Sequence, residues 1–363
     1  MTTIDTSQAL TERAARVVDL AVGENVDRLA TLDMRGDGVL RIIYETARSK
    51  QGEPLTLAAA RALHQRLQER QRVLMLTGFL SPKPYPETDG LTGSAVLAAA
   101  LERACGALPV FVCEPEVVAA LAAALRGAGL NVAPDLDAAP DDPHAAVVIP
   151  FQGDRASAPA RAATLARTIA PAACVAVERP GANEKGEYHY AMGKNVTAEI
   201  APLDFLYQEV ASAGALTVGV GDFGNELGMG AVYDVVRAET PAGATCGCGC
   251  GGGTACPTPA DVTVTTSTSD WGAYGIAACL SYLTHDPAVL ISGAAYRRVM
   301  DGAVAAGAID GPTRYAVPFV DGIDDAFNSR LIETMRDVVR YPTRAATHSP
   351  IRLFRAARRS EGG

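Results

Sequence analysis

Long apolar runs are absent from this chain of 363 residues, although 48% of the residues are hydrophobic. A helix that spans a bilayer needs roughly 20 consecutive apolar residues, so we expect no membrane partner. The first residues, MTTIDTSQALTERAARVVDL, carry acidic side chains early and lack the apolar segment of a secretory signal. These two absences predict a globular protein of the cytoplasm.

Lysine is scarce, since only four of the 32 basic residues are lysine: Lys50, Lys83, Lys185 and Lys194. The net charge is −9 and the basic residues are dispersed along the chain, so nucleic acid is not an expected partner. The last three lysines lie in segments that also contain acids, glycines or histidine. They are therefore candidates for a point charge at a site, with ordinary solvated lysines as the alternative.

The CxxC spacing that is typical of zinc knuckles is missing. Four cysteines instead lie in a glycine-rich segment, at Cys246, Cys248, Cys250 and Cys256. Two interpretations stay open for this segment: a structural zinc or iron–sulfur site, and a flexible glycine loop with incidental thiols. The other four cysteines have apolar neighbours and are predicted to be buried free thiols.

Apolar residues recur at helical spacing up to about residue 70, whereas short strand-like runs alternate with Ala- and Leu-rich helical segments from Arg72 onwards. The predicted strands are 73–77, 110–113, 146–149, 175–177, 217–220, 262–266 and 317–320. This alternation predicts a three-layer, doubly wound α/β fold with a mostly parallel sheet. We divide the chain into an N-terminal helical extension with a packing role (1–70), a Rossmann-like domain (71–341) and a basic, mobile tail (342–363).

The segment with the strongest functional signal is Leu216 to Gly230, LTVGVGDFGNELGMG. It predicts a strand, a tight glycine turn and the start of a helix. Asp222 and Glu226 would then lie at the carboxyl end of a parallel strand, where open α/β sheets bind their ligands. The segment also contains the dinucleotide pattern GxGxxG, but two carboxylates would repel a pyrophosphate, so a nicotinamide-dependent oxidoreductase is the weaker alternative.

The first strand leads into the segment LTGFLSPKPYPETDGLTGS, which contains Asp89 and the predicted helix start Gly90, Thr92, Gly93 and Ser94. Free N–H groups at a helix start can receive a carboxylate or a phosphate. The alternative is an ordinary cap by one of the two hydroxyl residues.

The fourth predicted strand leads into VERPGANEKGEYHYAMGKNVT, which contains Glu178, Lys185, His189 and Lys194. The segment is longer than a usual strand-to-helix connection, which favours a functional loop. His189 lies between two tyrosines, so a stacked structural histidine is the alternative to a catalytic one. Trp271, after the last parallel strand, is either an aromatic pocket wall or part of the core.

Several of these motifs occur in one order: LTGF with ETDGLTG, ERPG with GEYHYAMG, GDFGNELGMG, a Cys/Gly loop and SDWGAYG. In this order they resemble the domain found at the C-terminus of D-glutamate cyclase and in bacterial stand-alone proteins. The resemblance covers about residues 70 to 340. It implies a lyase that cyclises D-glutamate to 5-oxo-D-proline with loss of water.

Our functional hypothesis is a metal-assisted ring closure on a small carboxylate substrate, with Mg²⁺ or Mn²⁺ bound by oxygen ligands. The predicted metal ligands are Asp89, Glu178, Asp222 and Glu226. The predicted catalytic residues are His189 as the base, Glu178 and Lys185. The predicted substrate-binding residues are Asp89, Gly90, Thr92, Gly93, Ser94, Lys194, Asn225 and Trp271. A carboxylate-binding protein or subunit without turnover is the alternative from another class, and a homo-oligomer is left open.

Overall fold

The computed structural model describes residues 6–36, 38–80 and 83–348, with side chains for 16–36, 38–80 and 83–342. The strands are β1 Arg72–Thr77, β2 Leu108–Cys113, β3 Asn131–Ala133, β4 Ala145–Pro150, β5 Ala173–Val177, β6 Leu216–Gly221, β7 Val262–Thr265, β8 Phe319–Val320 and β9 Ile323–Asp324. The helices are α1 Thr6–Ala30, α2 Val39–Gln51, α3 Leu55–Arg66, α4 Leu91–Cys105, α5 Pro115–Ala128, α6 Ala158–Ile169, α7 Asp204–Ser212, α8 Tyr233–Glu239, α9 Ser269–Thr284, α10 Gly293–Ala305 and α11 Asp325–His348, with 3-10 turns at Ala139–Asp141 and Met229–Val232.

The seven strands β1 to β7 form one parallel sheet in the order β3-β4-β2-β1-β5-β6-β7. The predicted α/β class with a parallel sheet and an N-terminal helical segment is confirmed. The chain first builds outward from β1 through β2 to the edge strand β3, inserts β4 between β2 and β3, and then returns to place β5 on the other side of β1. The strand order therefore reverses between β1 and β5, and ligands bind at such a reversal in open α/β sheets.

One observed strand was not predicted, and one predicted strand differs from the observed one. The edge strand β3 has only three residues, none of them buried, so it lacks the apolar run that predicts a strand. The last predicted strand, 317–320, shortens to β8, which pairs antiparallel with β9 outside the main sheet. Asp321 and Gly322 join these two strands with φ values of 52° and 79°. Two consecutive left-handed residues make the tight hairpin turn that returns the chain at once.

Apolar side chains cover both faces of the sheet. One face and its helices share a buried cluster that includes Val26 of α1, Leu57 of α3 and Trp271 of α9. Asp27 of α1 also accepts the backbone N–H of Leu55, at 2.7 Å, and thereby caps α3. The N-terminal helices are thus packed into the same core as the sheet, while the boundary at residue 70 stays a prediction. Helix α11 continues to His348, and the rest of the basic tail lies outside the described residues.

A fully buried ion pair ties the loops after β1, β2 and β5 together. The Arg179 guanidinium donates to both carboxylate oxygens of Glu114, at 2.7 and 2.8 Å. It also donates to the carbonyl oxygens of Gly78 and Ala201, at 3.0 and 2.6 Å. Both side chains are at most 4% exposed. A two-pronged pair of this kind fixes the relative positions of three loops at the carboxyl edge of the sheet.

Replacing Glu114 with Ala is expected to lower the free energy of unfolding by about 3–5 kcal/mol, because it leaves the buried Arg179 charge without its partner. Urea denaturation measures this loss. Glu116→Ala is the matched control, since Glu116 pairs with the half-exposed Lys83 at 3.1 Å and should cost less than about 1 kcal/mol. Equal losses in the two variants would contradict a structural role for the buried pair.

Among the helices that the structure describes, none combines the length and the apolar character needed to cross a bilayer.

Candidate active site

Carboxylates from three separate loops converge at the carboxyl edge of the sheet. Asp89 follows β1, Asp222 follows β6, and Asp321 lies in the β8–β9 turn; one oxygen from each lies within 4.8 Å of the others. Glu178, Asp222 and Glu226 form a second trio with the same spacing. All four predicted metal ligands therefore lie in one cluster that is centred on Asp222. Asp321 is an additional member from the C-terminal region.

Arg35, in the connection between α1 and α2, joins this cluster. Its guanidinium donates to Asp222 Oδ2 at 2.5 Å and to Asp321 Oδ2 at 2.9 Å. It also lies 4.0 Å from the ring centroid of Phe223. The N-terminal extension therefore supplies a charged side chain to the site, so our interpretation of residues 1–70 as a packing element was wrong for Arg35. Arg35 lies between Asp33 and Asp37 in the sequence DMRGD, a signal that the sequence interpretation did not use.

Two helices that start at this edge are capped reciprocally. Asp89, which precedes α4, caps the start of α9, and Asp270, in the first turn of α9, caps the start of α4. Asp89 accepts the backbone N–H groups of Asp270 at 2.8 Å and Ser269 at 3.1 Å, at the start of α9. Asp270 accepts the backbone N–H of Gly93 at 2.6 Å, near the start of α4, and the hydroxyl of Thr92. The α4 start, predicted to receive a substrate carboxylate, already holds a carboxylate of this chain.

The other members of the predicted α4 start serve close packing. Gly90 has a φ of 73°, and a Cβ there would lie 2.3 Å from the Cβ of Glu178, so only glycine fits. The backbone N–H of Ser94 donates to the Gly90 carbonyl at 2.9 Å. The Ser94 hydroxyl is buried and has no hydrogen-bond partner in the described part of the chain.

Glu178 has a backbone conformation that is rare for a residue with a side chain. Its φ is 45°, directly after β5. Ser269 donates its hydroxyl to Glu178 Oε2 at 2.5 Å, and the side chain is buried. Such backbone strain is found at functional sites, where the surrounding structure holds it in place.

Glu226 is held by the turn that follows β6. Its carboxylate accepts the backbone N–H groups of Asp222, Phe223 and Gly224, at 2.9, 3.0 and 2.7 Å. These are N–H groups of the glycine turn, which a dinucleotide fold would present to a pyrophosphate. The next helical residues begin only at Met229. Because the turn binds a carboxylate of this chain, the geometry disfavours the dinucleotide alternative.

Burial raises the pKa values of Glu226, Asp321 and Glu178 in this cluster. Burial and then the Asp222 charge raise the pKa of Glu226 to about 8. The same two causes raise the pKa of Asp321 to about 7, against the opposing charge of Arg35. Burial first, and then the charge of Asp222, also raises the pKa of Glu178 well above its usual range. The cluster therefore favours either bound protons or a bound cation.

Without divalent cations, the melting temperature is expected to fall as the pH rises from about 5 to about 8. In this range the folded protein binds more protons than the unfolded chain, because the pKa values are higher in the folded state, so deprotonation removes stability. Scanning calorimetry in a chelator measures the fall. Magnesium chloride in excess of the chelator should make this fall in melting temperature smaller, whereas sodium chloride at equal ionic strength should not. A melting temperature that rises over this interval would contradict the shifts.

The two predicted lysines lie away from the acids. Lys185 and Lys194 are exposed, and the Lys194 ammonium lies 5.4 Å from the ring centroid of Tyr190. Within the contacts described, neither lysine pairs with a carboxylate of the cluster. Asp204, at the start of α7, is buried and accepts the hydroxyl of Tyr188.

Trp271 is a core residue. It is 0% exposed, stacks on Phe327 with a centroid distance of 5.6 Å, and donates its indole N–H to Asn328 Oδ1 at 2.7 Å. Of the two interpretations for this residue, the geometry favours core packing.

The side chain of Asn225 contacts the backbone of His189. Asn225 Nδ2 donates to the His189 carbonyl oxygen at 3.1 Å, and Asn225 Oδ1 is buried without a partner in the described residues. The His189 ring, however, lies against the cysteine segment: its Nε2 is 3.3 Å from Cys248 Sγ and 3.9 Å from Cys250 Sγ. The ring predicted to act as a base is therefore surrounded by sulfur atoms.

A cavity of about 360 Å³ adjoins the acidic cluster through Arg35 and Asp321. It is lined by Met34, Arg35, Ser267, Thr268, Asp321, Gly322, Ile323, Asp324 and Phe327. Its size lies near the lower end of the range of about 300–1,000 Å³ for small-molecule sites. Three charged residues, two hydroxyls and an aromatic ring form a site suited to a small polar ligand.

An open parallel sheet with a carboxylate cluster and an arginine at its strand-order reversal defines an α/β protein with a small-molecule crevice. The model of the family described as "D-glutamate cyclase-like, C-terminal" matches residues 26–336, so the chain belongs to this family. The matched region includes Arg35 and starts earlier than the resemblance in the sequence had implied.

The chain is also similar to human "D-glutamate cyclase, mitochondrial", with 32% identity over 116 residues. That alignment covers 32% of this chain and 17% of the human protein. The chain therefore matches only a small part of the length of that relative.

Proposed function

We propose that this protein is a lyase that closes a small amino acid to a lactam with loss of water, with D-glutamate as the substrate and 5-oxo-D-proline as the product. The acidic cluster around Asp222 is the observation that carries the proposal, because it combines a cation site, titratable groups and an arginine beside a small cavity. Family membership supports the choice of D-glutamate.

The carboxylates fit a divalent cation. Buried acids gather around Asp222, and the salt bridges to this cluster that the described residues make all come from Arg35. Asp222 and Asp321 would hold the ion, because their oxygens lie within 4.8 Å of each other, whereas Asp89 and Glu226 are already engaged with backbone N–H groups. Oxygen ligands of this kind suit Mg²⁺ or Mn²⁺. When bound, the ion would polarise the γ-carboxylate and make its carbon a better electrophile.

Arg35 binds the α-carboxylate of the substrate in this proposal. Its guanidinium lines the cavity, and a planar fork of N–H donors matches a carboxylate. Arg35 thereby supplies the positive charge for which Lys185 and Lys194 were the candidates in the sequence. Both lysines lie outside the cluster. Its two salt bridges to Asp222 and Asp321 imply that a cation and Arg35 compete for the same oxygens. Cation binding would then release the guanidinium for the substrate.

Glu178 accepts the proton from the substrate ammonium in this proposal. A neutral amine is needed for attack, and a buried carboxylate with a raised pKa is a suitable acceptor. The nitrogen then forms a bond to the γ-carbon, and one carboxylate oxygen leaves as water with the two protons that the ammonium lost. We assign this proton transfer to Glu178 because the His189 ring contacts sulfur atoms.

The test is incubation of the Mg²⁺- or Mn²⁺-loaded protein with D-glutamate and, separately, with L-glutamate, followed by chiral chromatography. We expect 5-oxo-D-proline from D-glutamate above the spontaneous rate. The Glu178→Gln variant should bind Mn²⁺, measured by the spin-resonance signal of the free ion, and lose turnover. If neither enantiomer gives oxoproline, the substrate assignment is overturned. Binding of glutamate without turnover under any cation would favour a carboxylate-binding protein instead.

A further inference from the structure

Two long connections meet beside the acidic crevice. Residues 178–203 lie between β5 and α7, and residues 240–261 lie between α8 and β7. Segments beyond about 15 residues without regular secondary structure are uncommon and need some other means of fixing their path. Asn183 Nδ2 donates to the Gly253 carbonyl oxygen at 2.7 Å and so links the two connections.

Three cysteines and one histidine converge where the connections touch. One ligand atom from each of Cys246, Cys248, Cys250 and His189 lies within 4.8 Å of all the others. Cys246 Sγ is 2.9 Å from Cys248 Sγ and 3.3 Å from Cys250 Sγ. Cys256, the fourth cysteine of the segment, is fully buried against Gly181 and takes no part. His189, from the other connection, occupies the fourth position.

Hydrogen-bond donors surround these sulfur atoms. The backbone N–H of Gly252 and the side-chain amide of Asn183 donate to Cys250 Sγ, at 3.4 and 3.6 Å. The side-chain amide of Asn195 donates to Cys248 Sγ at 3.6 Å. Donors directed at sulfur stabilise thiolates, which are the form of cysteine that binds metals, and such outer contacts orient metal ligands. These donors are independent of the convergence of the ligands and point to the same chemistry.

We propose that Cys246, Cys248, Cys250 and His189 bind one structural zinc ion. Zinc takes four ligands at about 2.3 Å for sulfur and about 2.0–2.1 Å for nitrogen, in a tetrahedron whose ligand atoms are about 3.4–3.8 Å apart. The separations of 2.9, 3.3, 3.3 and 3.9 Å lie on both sides of this spacing, so small side-chain shifts place all four atoms around one ion. An iron–sulfur cluster would hold its ligands further apart. All four ligands come from the protein, so the site is closed and structural.

The zinc would hold the acidic loop in place as well as the two connections. The His189 carbonyl accepts from Asn225, and the Gly181 N–H donates to the Asn225 carbonyl at 2.9 Å. The Cys256 N–H donates to the Gly224 carbonyl at 2.9 Å. Both connections are therefore bonded to the turn that positions Asp222 and Glu226. Loss of zinc is expected to loosen this turn.

The experiment is metal analysis of the full-length protein, purified under reducing conditions without chelator, by plasma mass spectrometry. We expect about one zinc ion per chain. Cys248→Ser and His189→Gln should lose most of this zinc, and Cys105→Ser, a partly exposed cysteine elsewhere, should retain it. Asn195→Ala should weaken zinc binding by about 10- to 100-fold in competition with a chromophoric chelator.

A second measurement covers variants that fail to fold. Cobalt substituted into the wild-type protein should give the sulfur-to-cobalt absorption of a tetrahedral thiolate site, and zinc should remove it. Absence of zinc from the native protein, together with no cobalt spectrum after reconstitution, would overturn the proposal. A mass lower by two hydrogens, with a disulfide mapped between two of the three cysteines, would also overturn it. Asp222→Asn should keep its zinc, which separates this site from the acidic one.

Discussion

Asp222→Asn is expected to lower turnover by at least about 100-fold and to abolish the rise in melting temperature that Mg²⁺ or Mn²⁺ gives the wild type. Asp222 belongs to both carboxylate trios, so its charge contributes to every arrangement in which the cluster could hold an ion. The fold should persist, because the Asn side chain can still accept the Arg35 guanidinium. The measurements are a thermal-shift titration with Mn²⁺, an assay of oxoproline, and circular dichroism.

The matched control is Asp234→Asn, which removes an exposed carboxylate of α8. It should leave both the cation response and turnover at the wild-type level. Mn²⁺ binding to Asp222→Asn with wild-type affinity would show that the cation site is centred elsewhere. In a chelator, Asp222→Asn and Asp234→Asn should have similar melting temperatures. This comparison separates loss of the cation site from global destabilisation of the fold.

Arg35→Met is expected to tighten Mn²⁺ binding by about tenfold and to lower turnover by about 100-fold. The guanidinium neutralises Asp222 and Asp321, so its removal frees two carboxylates for the cation. The same change removes the proposed receptor of the substrate carboxylate. Without a cation, the variant should also melt at a lower temperature, because Asp222 is only 3% exposed and loses its partner. Mn²⁺ titration and steady-state kinetics measure the two opposite effects.

Arg35→Lys is the control that separates charge from geometry. Lysine keeps the positive charge, so Mn²⁺ affinity should stay close to that of the wild type. It lacks the planar fork for two parallel hydrogen bonds, so the KM for glutamate should rise. Weaker Mn²⁺ binding in Arg35→Met would contradict the competition between guanidinium and cation. Unchanged kinetics in both variants would show that the substrate carboxylate binds elsewhere.

The part of the site that the sequence predicted consists of acids in the segments that follow strands. Asp222 follows β6 and Glu178 follows β5, and parallel strands bring their carboxyl ends to one edge of a sheet. A short apolar run and the residue after it can be recognised locally. For this reason the α/β class, the crevice and the convergence of the predicted acids could be predicted without coordinates.

The cysteine segment was recognised, but its partner was not. The spacing of Cys246, Cys248 and Cys250 left zinc, an iron–sulfur site and incidental thiols open. The fourth ligand position, which the nearby Cys256 could have filled, belongs to His189 in a different connection. No periodic pattern relates two connections that lack regular secondary structure, so their contact depends on how each one packs.

The sequence by itself determined the alternation of strands and helices and the acids after strand ends, because these follow from local apolar patterns and from the parallel arrangement that they impose. Only the tertiary structure decided which distant side chains complete the sites. Arg35 contacts Asp222 across 187 positions of sequence and Asp321 across 286. Such pairings arise from the packing of whole elements on one core, and a single sequence contains no local signal of them.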